Sequence, residues 1–400
     1  MSPVRRRTWM LVAAGAATVA LAGGLTLALT AGDGGPGDGP SAQAEPVRVS
    51  IGLSGCGNGW TKPVAGQQDF LLVNTDLRDG DAQLIDPSTG AVYAEVEPLG
   101  SGASAHLRIV LGHGSYAFRC VMEEDQAITG PTVTISGTAR TPVPPVLPVT
   151  QNDLIPIARA YESYVTGVLP GLISQTETLR TDIARGDLAA ARRDWLPAHL
   201  SYEQLGAAYG AFGDADDAIN GLPDGLPGGL KDDDFAGFHR LEYGLWHGQS
   251  AGDVLPVADA LLTAERGLRT DFPHAQVDPS DIAIRAHEIT ENTLQFTLTG
   301  HDDFGSGSGL ATARANLDGT RTVLGLLRPL LTTRLASLPS LDALIATTDR
   351  DLAGLARPDG TYPPIADLST ADRERVDSDF GGLSEQLAPV ASITEPRRTS

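Results

Sequence analysis

Residues 141–187 read "TPVPPVLPVTQNDLIPIARAYESYVTGVLPGLISQTETLRTDIARGD", and the pattern changes inside the stretch. Up to Thr150 it is rich in proline, which predicts an extended, semi-rigid connector. From Asn152 it opens on a cap-like Asn-Asp, spaces its apolar residues by three and four, and stops at Gly186. That is the pattern of a long helix. The connector predicts two halves of different construction, held apart rather than packed.

Between Pro46 and Gly137 the runs "VRVSIGL", "QDFLLVNT", "AVYAEVE", "AHLRIVLG", "SYAFRCVM" and "PTVTISG" are rich in Val, Ile, Phe and Tyr, with Gly, Pro, Asp and Asn between them. Short runs at this spacing predict a small antiparallel β-sandwich over 45–140. After the connector (141–150), residues 151–395 predict an all-α bundle. Its second helix, "DLAAARRDWLPAHLSYEQLGAAYGAFG", starts at an Asp cap and is interrupted by Pro197; a Gly/Pro-rich loop, "INGLPDGLPGGLKDDD", follows. Further helices are expected near 235–247, 253–270, 279–299, 309–335, 338–355 and 369–388.

The chain has 400 residues, of which 41% are hydrophobic, enough for globular domains with real cores. Against 29 Lys and Arg stand 50 Asp and Glu, a net charge of −21 that repels nucleic acid and favours cations. At the N-terminus Arg5, Arg6 and Arg7 precede an uncharged run from Thr8 to Gly32. Such a segment directs export, as an uncleaved anchor ahead of a cleaved signal, and 1–44 is assigned to it and a flexible spacer. "AQA" at Ala42–Ala44 has a cleavage-site form but lies far beyond the apolar run. The two cysteines, Cys56 and Cys120, default to a disulfide in an exported chain, worth on the order of 4 kcal/mol for a loop of this length. Thiolate metal ligation is the alternative, and it needs a reduced state.

Six of the eight histidines fall in the helical half, and three share a pattern. His199 stands four residues before Glu203, His239 three before Glu242, and His287 four before Glu291. Each pair lies about one turn apart on a different predicted helix, and bundles build metal sites from such side chains on facing helices. Mixed imidazole and carboxylate donors suit iron, zinc or manganese. One pair alone is equally a structural hydrogen bond, so spacing leaves both readings open. Tyr243 and Glu288 are candidate supporting partners. The remaining histidines, His106, His113, His247, His274 and His301, read as strand, loop or surface residues. No phosphate-binding loop, nucleophile elbow or HExxH motif is present; "GSGSG" (305–309) lacks a following Lys-Ser/Thr.

"FAGFHRLEYGLWHG" (235–248), "RAHEITENTLQFTLTG" (285–300) and "GLATARANLDGTRTVLGLLRPLL" (309–331) closely resemble the imelysin-type family, in the form that serves the Efe iron-uptake system. "CGNGW" (56–60), "FLLVNT" (70–75) and "SYAFRC" (115–120) resemble the cupredoxin-like domain that precedes imelysin in that form. The resemblance implies an exported iron-binding component that works with a membrane iron permease and a haem peroxidase. It carries the family's His-x-x-Glu motif onto His239 and Glu242, and its Tyr-Glu helix onto Tyr202 and Glu203. The family's acidic and aromatic stretch ahead of Ala-Asn-Leu-Asp is reduced here to "GSGSGLAT" (305–312), so ligands from that stretch are expected to be missing. Blue copper is disfavoured, because Cys120 is followed by "VMEEDQ" with no histidine.

The expected function is therefore iron capture outside the membrane, as Fe2+ or Fe3+, with no enzymatic step. Two alternatives are a zinc metallopeptidase of imelysin type and a non-catalytic module that binds a polymer or partner.

Overall fold

A computed structural model of the chain describes residues 45–123 and 126–399. The export segment, Ala42–Ala44, and Glu124 and Asp125 of "VMEEDQ" lie outside the described residues. Among the described residues no helix is long and apolar enough to cross a membrane.

Among the described residues the N-terminal half forms β1 (Val47–Ile51), β2 (Gly66–Asn74), β3 (Gly80–Ile85), β4 (Val92–Leu99), β5 (Ser104–Leu111), β6 (Gly114–Met122), β7 (Ile128–Thr129) and β8 (Val133–Ile135). One sheet has the order β1-β2-β5; the other runs β4-β3-β6-β7, with β8 also on β6. Pairing is antiparallel except that β1 runs parallel to β2. Alternation sends Phe70 and Leu72 of β2, and Ile109 and Leu111 of β5, into a core with Trp60, Tyr116 and Phe118. Cys56, just after β1, and Cys120 of β6 are joined by a disulfide that crosses from one sheet to the other. Strand β3, "GDAQLI", is absent from the sequence reading because Asp81 and Gln83 break the apolar pattern. In the fold every residue of β3 is buried, and those two polar side chains are met by charged partners.

The helical half comprises α1 (Gln151–Ala184), α2 (Leu188–Glu203), α3 (Tyr209–Phe212), α4 (Asp214–Asn220), α5 (Gly237–Trp246), α6 (Ala251–Asp271), α7 (Asp281–Asn292), α8 (Gly309–Leu331), α9 (Leu338–Gly354) and α10 (Thr370–Thr394). The expected break at Pro197 does not occur: α2 runs through it. Ala191, Trp195, Ala198 and Tyr202 keep one continuous buried face on either side of the proline, and that packing outweighs one missing hydrogen bond. The predicted 279–299 helix is α7 followed by a π-turn, Thr293–Thr297, after which the chain leaves the axis for a loop reaching Ser308.

The two halves are not held apart. Val146 of the connector exchanges both backbone hydrogen bonds with Val92 of β4 at 2.8 Å, and Val149 pairs with Pro396 from the far end of the chain. The Arg334 guanidinium donates to the carbonyls of Leu147 and Pro148. The C-terminal tail then lies across the β3–β4 face. Arg398 donates to Asp81 Oδ2 at 2.8 and 3.0 Å, Arg397 pairs with Glu95, and Gln83 donates to the Arg398 carbonyl at 3.1 Å. Asp81 is buried, so Arg398 supplies the countercharge its carboxylate needs.

Two predictions follow from this packing. Truncation after Glu395 should raise proteolytic cleavage within 141–150 roughly fivefold while leaving the helical circular-dichroism signal intact; unchanged cleavage would contradict the clasp. The second concerns Glu265 of α6, wholly buried against α1, where Thr176 donates to its Oε1 at 2.7 Å. Burial pushes its carboxyl up to about 8. The native state therefore keeps a proton that the unfolded chain, ionising near ~4.3, has released, so stability falls as pH rises toward 8. Glu265→Gln should match the wild type near pH 4 in denaturant melts and exceed it by roughly 4 kcal/mol at pH 8.

Candidate metal centre

Trp195 of α2 donates its indole N–H to the Phe238 carbonyl at 3.0 Å, fixing the first turn of α5 against the last two turns of α2. Gly237 begins α5 with φ +76°, and a Cβ there would sit 2.1 Å from the Ile219 carbonyl oxygen, so only glycine lets α5 start so close to α4. Arg192 closes the other end of α5, donating to the Leu245 carbonyl at 2.6 and 2.8 Å.

This docking carries His239 to the side of α2 that bears His199 and Glu203. One ligand atom from each of the three lies within 4.8 Å of those of the other two, and all three residues are buried. The imidazoles are walled by aromatic rings. His199 stacks on Trp195 with centroids 4.7 Å apart, and His239 meets Phe304 edge-on at 5.4 Å. Nε2 of His199 is 3.1 Å from Glu203 Oε1 but off the line of a hydrogen bond. Both ring nitrogens of His199, and Nδ1 of His239, consequently lack a hydrogen-bond partner within the protein. Buried polar atoms are seldom left so, since each costs about 1–3 kcal/mol.

Glu203 is held from outside the triad. Asn220 donates to its Oε1 at 2.7 Å, and Asn316, with its amide NH2 turned toward the carboxylate, donates to Oε2 at 3.0 Å. Burial pushes its pKa up, but the His199 and His239 imidazoles and the Asn220 amide outweigh burial and hold the carboxyl below its ordinary value. Burial works against charge on His199 as well, and there the adjoining Glu203 carboxylate prevails and raises the pKa. Glu203, His239, Asn316 and Asp302 line one cavity of about 230 Å³, with Asp216 and Arg285 among its other walls. Asp302 accepts a hydrogen bond from Thr297 at 2.7 Å, and burial raises its pKa.

Three of the six predicted ligands are thus together, and three are placed otherwise. Glu242, 1% exposed, has Oε2 3.7 Å from His239 Nδ1, while its Oε1 accepts the backbone N–H groups of Phe304 and Ser306. His287 and Glu291 stand 3.3 Å apart in the α7–α10 contact, where His287 Nδ1 meets the Ser384 carbonyl at 2.8 Å. The α7 residues on the cavity wall are Arg285, Glu288, Ile289 and Asn292. At 100° per residue, His287 and Glu291 are each one step round the helix from that wall. Tyr202 donates its hydroxyl to Asp216. Tyr243 stacks on His247, and Glu288 pairs with Arg285 at 2.7 Å. His106, His113, His247, His274 and His301 are exposed.

Asp302 is absent from the sequence reading, which took neighbouring His301 as a loop or surface residue and expected the ligands of 305–312 to be missing. Two carboxylates between helices that already carry metal-type donors were the available signal. Two imidazoles, one carboxylate held ionised and a second carboxylate across a polar cavity form a mixed N/O donor set. Such a set suits a borderline or hard transition-metal cation and leaves room for water.

The imelysin family (peptidase family M75) matches residues 157–390. The iron uptake system component EfeM of Pseudomonas syringae pv. syringae is 27% identical over 255 residues, which is 64% of this chain and 90% of that protein. The iron uptake system component EfeO of Yersinia pestis is 26% identical over 358 residues, covering 88% of this chain and 92% of its own length. EfeO of Escherichia coli O157:H7 is 25% identical over 360 residues, 88% of each chain. The family match spans more than half of the sequence and contains every predicted ligand of the helical half; the chain belongs to the imelysin family.

Proposed function

We propose that this protein is the extracytoplasmic iron-binding component of an Efe-type uptake system, and that it captures iron at His199, Glu203 and His239. One observation carries the reading: three buried donor side chains converge from two helices, with Nδ1 of both His199 and His239 left without a hydrogen bond from the protein. A cation would satisfy them. The names of the relatives supply the metal, since EfeO and EfeM are iron uptake system components. Iron is cargo in this reading, bound for a membrane permease with a haem peroxidase in the same system. The acidic surface, −21 overall, favours encounter with cations. The basic, apolar N-terminal segment would hold the chain at the outer face of the membrane or direct its release. No catalytic step is assigned to it.

Calorimetric titration of the chelator-stripped full chain with Fe(II), Fe(III) and Zn(II) tests the site. The expected result is one tight iron site that His199→Ala/His239→Ala weakens by at least about 100-fold, because two of three donors are lost. Undiminished iron affinity in that variant would place the iron elsewhere. Saturating iron should also stabilise the wild type by ~2.7 kcal/mol at a hundred times Kd, read as a rise in Tm that the double variant lacks.

A further inference from the structure

Glu242 is the acidic member of the most family-like motif in the sequence; its Oε2 lies 3.7 Å from His239 Nδ1, but its Oε1 is engaged elsewhere. Oε1 accepts two backbone N–H groups, from Phe304 at 3.1 Å and Ser306 at 2.9 Å. Those amides belong to the turn that follows Asp302. The turn is knitted further by Asp303, whose Oδ1 accepts from Gly305 N at 2.8 Å and Gly307 N at 3.2 Å. It is pressed onto α5: a Cβ at Gly305 would meet the Trp246 Cβ at 2.8 Å, and φ there is +124°. Glu242 neither lines the cavity nor joins the group whose donor atoms lie within 4.8 Å of one another. Asp302 does line the cavity, beside Glu203 and His239.

We infer that Glu242 is a positioning residue rather than a ligand: its carboxylate clamps the 304–306 turn to α5, and the clamp holds Asp302 in the wall of the cavity that Glu203 and His239 also line. The inference rests on the reading of that cavity as a metal site and concerns which carboxylate serves it. A carboxylate that accepts two N–H groups on one oxygen is fixed in place. Losing it frees a turn that its two glycines leave few other means of holding. One motif then performs two tasks a helical turn apart: His239 supplies a donor, and Glu242 fixes the loop that brings another.

The test uses the full chain, stripped of metal, with Co(II) as the probe because its d–d absorption reports the donor set. In Glu242→Gln the amide oxygen still accepts both N–H groups. That variant should bind Co(II) with an unchanged d–d spectrum and an affinity within about fivefold of wild type. Glu203→Gln and Asp302→Asn should each alter the spectrum. In Glu242→Ala, hydrogen exchange at 303–308 should quicken in the metal-free protein, and Co(II) affinity should fall at least about tenfold. A Glu242→Gln spectrum changed as much as that of Glu203→Gln would make Glu242 a ligand and overturn the inference. Co(II) binding that is absent from the wild type, or indifferent to Glu203→Gln, would overturn the metal reading itself, whatever the Glu242 variants do.

Discussion

Burying two imidazoles and a carboxylate where α2 meets α5 costs free energy, and the rest of the helical half is arranged around that cost. The indole bond from Trp195 to the Phe238 carbonyl and the close approach at Gly237 leave no other place for His239. Aromatic rings pack against both imidazoles, and Asn220 and Asn316 hold the Glu203 carboxylate in register. What the protein does not supply is a hydrogen bond for Nδ1 of either imidazole. A site built for hydrogen bonding alone would pair them. The unpaired pattern, with the carboxylate kept below its ordinary pKa, is what supports the proposal of a cation there.

Much of this was legible in the sequence, for physical reasons that differ by element. Long helices with unbroken apolar spacing, such as α1 and α8, announce themselves because one face must be buried whatever the neighbours are. His199, Glu203 and His239 were legible as candidates because i, i+3 and i, i+4 spacing places side chains on one side of a helix. Convergence was not legible, since it depends on how α5 is rotated against α2. His287 and Glu291 have the same spacing and yet face α10. Asp302 and β3 were missed for a common reason. Their roles are set by partners far along the chain: Glu242 for the loop after Asp302, and Arg398 for Asp81.

The same dependence on distant partners joins the two halves. The proline-rich connector alone would space them, but Arg334 and the tail arginines turn it into the middle strand of a clasp. Stability and function are thus separable in this molecule. The disulfide, the clasp and the buried Glu265 belong to the scaffold, whereas the α2–α5 junction and the 302–306 turn belong to the proposed site.

The central claim is that iron sits at the α2–α5 junction, and anomalous diffraction at the iron edge from crystals of the iron-loaded full chain addresses it directly. The account predicts a single strong peak between His199, Glu203 and His239. A peak on the β-sandwich or the acidic surface, with the junction empty, would contradict it.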